Sequence, residues 1–191
     1  MTDPLWFVPV LKIIFFVAAS IPLVYISRPS LKEPRSHGFY RFFAWEAILA
    51  LVMLNLDLWF TDPFTWHQLI SWVLLLVSIY PLVQGVRLLR EMGKPNAQRA
   101  DPTLFTVEKT TQLVTSGIYR FIRHPWYSSL LFLTWGTFFK DVNWPGVILA
   151  LVSSVFLIAT ARGDESECIR QFGSEYEEYK KHTKMFIPYL F

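Results

Sequence analysis

Apolar residues run along this chain in stretches too long for the core of a soluble domain. Trp6 to Ile26, Phe42 to Phe60 and Leu69 to Leu89 can each cross a hydrocarbon layer of about 30 Å at about 1.5 Å per helical residue. Trp144 to Ala161 is a fourth run. Tyr127 to Phe139 is shorter, roughly 20 Å as a helix, and only Lys140, Asp141, Val142 and Asn143 separate it from the fourth, so the two read as a helical hairpin. The pattern predicts an all-α integral membrane protein with about five transmembrane helices, the last two forming that hairpin. Lys140, in the hairpin turn, is expected to snorkel its ammonium to the far interface. Trp6, Trp45, Trp59, Trp66, Trp72, Trp126 and Trp144 fall near the ends of the expected spans, where amphipathic rings are favoured.

The polar connections orient the spans. Residues 27 to 41 carry Arg28, Lys32, Arg35 and Arg41 against a single acid, whereas the next connection carries Asp62 and no Lys or Arg. Residues 87 to 126 hold seven Lys or Arg, Arg99 among them, and the tail after Ala161 is again basic. Cytoplasmic connections are the Lys- and Arg-rich ones, so a multi-pass protein with its N-terminus outside and its C-terminus cytoplasmic is expected. Two regions follow: residues 1–90, an N-terminal three-helix membrane region, and 91–191, where polar sequence and the hairpin alternate.

Composition agrees. The chain is 53% hydrophobic and only 17% charged, well below the roughly 25% charge of a soluble domain, and its mean hydropathy is +0.33. Lipid covers the remainder, so the bilayer itself is the first expected partner. The net charge of +3 belongs to the loops of one face, and no nucleic-acid partner is expected. A single cysteine, Cys168, excludes an internal disulfide and any CxxC site. The four histidines, at 37, 67, 124 and 182, show no metal-ligand spacing, and no metal is expected. The first apolar run lacks a basic lead and a small-x-small cleavage site, and is expected to stay as a span.

A purely structural membrane protein has no need of the polar sequence between the third span and the hairpin, or of the tail. Long connections are usually functional or disordered, and these are not disordered by composition. In the tail, Ile169, Phe172, Tyr176 and Tyr179 recur at helical steps opposite Glu175, Glu177, Glu178 and Lys181, as on a helix lying along the bilayer. Asp164, Glu165 and Glu167, with Arg162 just before them, crowd the point where the last span ends, which is more acid than a helix start requires. Arg123, His124 and Pro125 emerge beside them at the other leg of the hairpin. Their meeting is either a site or a set of structural ion pairs near the headgroups, and spacing alone leaves both open.

"LVTSGIYRFIRHPWYSS", followed after the hairpin by "ARGDESECIRQFGSEYEEYKKHTKMFIP", resembles the C-terminal core of the isoprenylcysteine carboxyl methyltransferase and phospholipid N-methyltransferase superfamily. The likeness covers roughly residues 112–188. It implies S-adenosylmethionine as cofactor, bound at the cytoplasmic face in a pocket formed by the pre-hairpin loop and the C-terminal helix, with a lipophilic methyl acceptor entering from the bilayer. It implies further that Leu113, Val114, Gly117 and Tyr119 line the cofactor, that Arg123, His124 and Pro125 form its wall, that Tyr127 closes it and that Glu165 supplies the acid. Asp164 stands where the family usually has glutamate, so a direct contact from its shorter arm is in doubt. Ser129 replaces a common glycine, and Arg162 matches one form of the family's arginine.

The donor carries a sulfonium, an ammonium, a carboxylate and an adenine, so it calls for an anion, a cation and an apolar slot. Glu165 suits the cationic side and Arg123 or His124 the carboxylate. With an amine acceptor, His124 or Glu165 is the candidate base. With a carboxylate acceptor, Arg162 is the candidate for orienting it. Tyr176 and Tyr179 are expected to pack and to anchor the interface. The alternatives are a membrane reductase of the sterol-reductase type using a nicotinamide cofactor, and a non-enzymatic scaffold or transport subunit whose basic loops bind headgroups.

Overall fold

The computed structural model describes residues 7–96 and 103–191; Trp6, at the start of the first expected span, and Arg99, in the long basic connection, lie outside them. The described residues form six α-helices: α1 Phe7–Leu31, α2 His37–Leu54, α3 Trp66–Met92, α4 Pro125–Phe138, α5 Trp144–Phe172 and α6 Ser174–His182. No strand occurs among the described residues; Ile122 and Lys184 make one isolated bridge. Four helices, α1, α2, α3 and α5, are long and apolar enough to cross a membrane. With 14 residues, α4 reaches only about 21 Å.

Of the helix boundaries that differ from the sequence pattern, two bear on the site. Polarity suggested that the second span begins at Phe42, yet α2 begins at His37, because the Ser36 hydroxyl accepts the Phe39 N–H at 3.1 Å and satisfies an otherwise orphaned donor. His37 and Arg41 therefore lie one turn apart on one helical face. The last span was expected to end at Ala161, with a separate amphipathic helix after it. Instead α5 runs unbroken to Phe172, since nothing in "ARGDESECIRQF" stops a helix. Gly163 lets it do so: a Cβ there would sit 3.1 Å from the His37 Cα, so α5 crosses the start of α2 almost backbone to backbone. The helix stops at Gly173, which takes φ +59°, a conformation favouring glycine. The expected stripe is thus divided, Ile169 and Phe172 on α5, Tyr176 and Tyr179 on α6.

In the bundle α2 lies between α1 and α5, and α3 lies along α4. Residues 139–143 join α4 to α5, and the two touch, but each packs more extensively on another helix, α4 on α3 and α5 on α2. At one end of the bundle Asn55 Nδ2 donates to the Thr137 carbonyl at 2.8 Å, and Lys12 pairs with Asp57 at 2.6 Å. Lys140 is at this end and does not snorkel. It is 1% exposed, its Nζ donates to Gln68 Oε1 at 3.0 Å and lies 3.3 Å from the centre of the Trp72 ring, with Trp59 at 5.3 Å. The π faces and the amide give it a better environment than the short turn could offer at the surface. Lys140→Ala is expected to lose this cation–π contact and leave a cavity, together about 2–4 kcal/mol. Thermal unfolding in detergent checks it, with Lys140→Met recovering the packing part of the loss. Trp66 and Trp144, by contrast, are exposed where α3 and α5 begin, as an interfacial belt requires.

Candidate active site at one end of the bundle

At the opposite end, the start of α2, the ends of α3 and α5, the start of α4 and α6 converge. The stretch before α4 is held by the C-terminal tail: Arg123 N donates to the Lys184 carbonyl at 2.8 Å, His124 N to the Met185 carbonyl at 3.2 Å, and Ser128 Oγ to the Phe186 carbonyl at 2.8 Å. Two charged clusters meet there. In the first, Arg123 Nε donates to Glu165 Oε1 at 2.8 Å, Lys180 Nζ lies 2.5 Å from Glu165 Oε2, and His124 Nδ1 lies 3.3 Å from Asp164 Oδ2. Arg123 Nη1 also donates to the Thr183 carbonyl. In the second, Arg41 Nη1 donates to Glu108 Oε1 at 2.6 Å, and Phe105 N donates to Glu108 Oε2 at 2.8 Å. His37 Nδ1 lies 2.7 Å from Glu167 Oε2, and His37 Nε2 lies 3.9 Å from Glu108 Oε2.

Between the clusters is a narrow cleft, with about 540 Å³ of space between its walls and its opening to solvent. Of the residues implied by the resemblance, Leu113, Val114, Tyr119, Arg123 and His124 line it. Glu165 stands behind the wall, 3% exposed and holding Arg123 and Lys180 in place. Pro125 and Tyr127 are buried in the packing around it, with the Tyr127 ring stacked on His124 at 5.5 Å. Gly117, at φ +59°, turns the chain ahead of Tyr119 and faces a different groove, against α3. Arg162 is exposed and does not line the cleft, because its place on α5 points away from the face that carries Asp164, Glu165 and Cys168.

The cleft also takes residues the sequence reading left outside it. Asp164 lines it despite its short arm, since α5 itself runs past the opening. Glu108 supplies a further acid, and Phe172, Tyr176 and Tyr179 supply aromatic surface. Tyr179 donates its hydroxyl to the Tyr119 carbonyl at 2.7 Å, so α6 is fastened to the motif and is not simply a helix on the bilayer.

A second hollow opens on the apolar side of the bundle. Leu23 and Ile26 of α1, Ile48 and Leu49 of α2 and Leu130 and Leu133 of α4 border about 910 Å³ of nearly all-apolar groove. Its inner wall is a stack of three rings: Phe105 lies 5.9 Å from Trp45 and 5.9 Å from Trp126, nearly parallel to both.

A family model described as phospholipid methyltransferase matches residues 66–174, more than half of the chain. This chain belongs to the phospholipid methyltransferase family. Among its relatives, the methanethiol S-methyltransferase of Pseudomonas deceptionensis is 28% identical over 76 residues, 40% of this chain and 28% of that protein. The human protein-S-isoprenylcysteine O-methyltransferase is 37% identical over 83 residues, 42% of this chain and 29% of that protein. The matched stretch is thus under a third of the length of these relatives. No solved structure matches.

In this phospholipid methyltransferase family member, two charged residues of the second cluster, Glu108 and Glu167, fall inside the matched segment and two, His37 and Arg41, fall before it. The pair on α2 gave no signal, because residues 27–41 read as a polar connection ahead of the second span. Glu108, a lone acid in "TVEK", gave none.

The electrostatics favour ions on both sides of the cleft. Burial works against the His124 imidazolium, but Asp164 and Glu165 outweigh it and hold the pKa above the ordinary 6.5. Burial likewise tends to raise Glu108, while Arg41 and His37 more than offset it and hold this carboxyl below the usual range. A raised histidine contributes stability below its unfolded value that is lost as pH climbs through the higher folded one. The gap in melting temperature between the wild type and His124→Gln is therefore expected to be widest below the ordinary 6.5 and to narrow as pH climbs above it. A gap that widens with pH would show His124 to be held neutral.

Proposed function

We propose that this protein is an integral membrane methyltransferase that uses S-adenosylmethionine to methylate a lipophilic acceptor. The cleft is the observation that carries this: most of its lining falls within the family's own segment, and it offers an acid, cations and aromatic surface together, the set a sulfonium donor with a carboxylate and an adenine calls for. A further feature fits a ligand there. His124 Nε2 is buried without a hydrogen-bond partner, its 3.5 Å approach to Glu165 being poorly placed for one, and a buried donor left unmade is costly.

In this reading Asp164 faces the donor's cationic side, His124 and Arg123 its carboxylate, and Phe172, Tyr176, Leu113 and Val114 its adenine. Glu165 acts through Arg123 and His124. The donor supplies an electrophilic methyl group, and the protein's work is chiefly to position and to exclude water, since displacement at methyl needs little proton chemistry. A charged His124 donates and does not serve as a base. The acceptor's apolar part lies in the groove of α1, α2 and α4, reached from lipid. Residues 91–191 form the core of the enzyme, and α2, from the 1–90 region, completes its wall. The protein passes the membrane with α4 as a short fifth span, its N-terminus outside, and the cleft at the cytoplasmic face, where the basic connections gather.

Calorimetry with purified protein tests the donor: S-adenosylmethionine is expected to bind, and a nicotinamide dinucleotide is not. Binding of the dinucleotide alone would replace this reading with a reductase. A total lipid extract incubated with methyl-labelled donor is then expected to yield a labelled, lipid-soluble product.

A further inference from the structure

Arg41 stands between the two hollows. It is 3% exposed, and its guanidinium carbon lies 4.1 Å from the centre of the Phe105 ring and 5.3 Å from that of Trp45, both in the aromatic wall of the apolar groove. On its other side Arg41 holds Glu108, which lines the charged cleft. One side chain thus touches the wall of the groove and the rim of the cleft, where a lipophilic acceptor and a water-borne donor would have to meet.

We infer that Arg41 is the acceptor-orienting residue, that it selects an acceptor with an anionic head, and that Glu108 occupies its place until such an acceptor arrives. The inference rests on the methyltransferase reading above and assigns the role that the sequence suggested for Arg162.

The pairing within the cluster favours an anion over an amine. An anionic head that takes Arg41 leaves Glu108 with the Phe105 N–H and with His37, whose Nε2 is 3.9 Å away and makes no hydrogen bond now. Every charge then keeps a partner. An ammonium head would have to take Glu108 from Arg41, and among the described residues Arg41 would keep the Thr103 carbonyl at 3.3 Å and no carboxylate hydrogen bond. A buried guanidinium without a carboxylate is strongly disfavoured. The planar fork of arginine also suits a two-oxygen head, and its guanidinium carbon already lies over the Phe105 ring. The reaction balances without a base: a lone pair of the anion forms the bond to the methyl carbon, the carbon–sulfur bond of the donor breaks with its electron pair left on sulfur, and an anion and a sulfonium become two neutral products.

Dodecanoate, dodecylamine and dodecanol separate the possibilities, because they share one chain and differ in head charge. Their binding to the protein in phosphatidylcholine vesicles is to be measured by calorimetry with S-adenosylhomocysteine present. Dodecanoate is expected to bind at least about tenfold tighter than the amine or the alcohol, as a charge-assisted pair warrants. Arg41→Gln should abolish that preference. Glu108→Gln should enlarge it, by about threefold or more, because it frees Arg41. A merely structural ion pair would weaken the site in both variants alike. Equal binding of the three probes, tighter binding of the amine, or loss of dodecanoate affinity in Glu108→Gln would each overturn the inference. S-adenosylmethionine affinity, measured in parallel, keeps the two readings apart. If the donor binds and the head preference is missing, only Arg41 is misassigned; if the donor does not bind, the methyltransferase reading falls and this inference with it.

Discussion

Glu165→Gln is expected to lower stability by about 3 kcal/mol and to weaken S-adenosylmethionine binding more than tenfold, although the carboxylate does not line the cleft. Glu165 is 3% exposed and meets two cations, Arg123 at 2.8 Å and Lys180 at 2.5 Å, with His124 Nε2 at 3.5 Å. Removing its charge leaves Arg123, itself largely buried, without a carboxylate, and breaking a buried pair from one side costs far more than the pair was worth. Arg123 also binds the Lys180 and Thr183 carbonyls, so the α6 wall of the cleft should loosen together with the motif before α4. Thermal unfolding and calorimetry on the same sample check both effects. A variant that keeps its melting temperature and loses only the donor would place Glu165 in contact with the ligand.

The second large effect is expected at His37, which belongs to a helix outside the matched family segment. His37→Ala should cost about 2–4 kcal/mol and reduce donor affinity as well. The imidazole bridges three elements: its Nδ1 lies 2.7 Å from Glu167 on α5, its backbone N–H donates to the other oxygen of Glu167 at 3.3 Å, and its Nε2 faces Glu108 in the segment before the motif. Without it Glu167 and Glu108 face each other across a gap with Arg41 as the remaining cation. His37→Gln retains a donor of similar reach and is expected to recover part of the loss. If alanine is tolerated with an unchanged melting temperature, α2 contributes no more than a membrane anchor.

Much of the fold was legible because it follows from solvent. Apolar runs of 18 residues or more have few alternatives to a spanning helix, so α1, α2, α3 and α5 are present where hydropathy put them, and the short α4 was expected to be short. Local polarity misleads where it suggests the end of a helix. His37 and Arg41 were read as part of an exposed loop, and Arg162 to Phe172 as the start of another element, but buried partners let both stretches continue as helix. Lys140 failed in the same way: a charge at a turn usually seeks water, and here Trp72 and Gln68 offered an alternative.

One wall of the candidate site was legible for a different reason. Leu113, Val114, Tyr119, Arg123 and His124 sit in one contiguous motif whose residue types resemble a known family, and the structure gathers them on one cleft. Glu108 before the motif, Asp164 on α5 and Tyr176 and Tyr179 on α6 line the same cleft from three separate parts of the chain, and no local pattern links the three.

By itself, then, the sequence determined the solvent of this protein, the number and place of its long helices, and one wall of its cleft, since each depends on composition or on neighbours along the chain. Only the tertiary structure decided which charges meet. That Arg41 pairs with Glu108, 67 residues away, and His37 with Glu167, 130 residues away, depends on α2 lying against α5 closely enough at Gly163. Ion pairs of this kind have no local signature, because in a dry interior any acid within reach satisfies a cation, and reach is a property of the packed bundle.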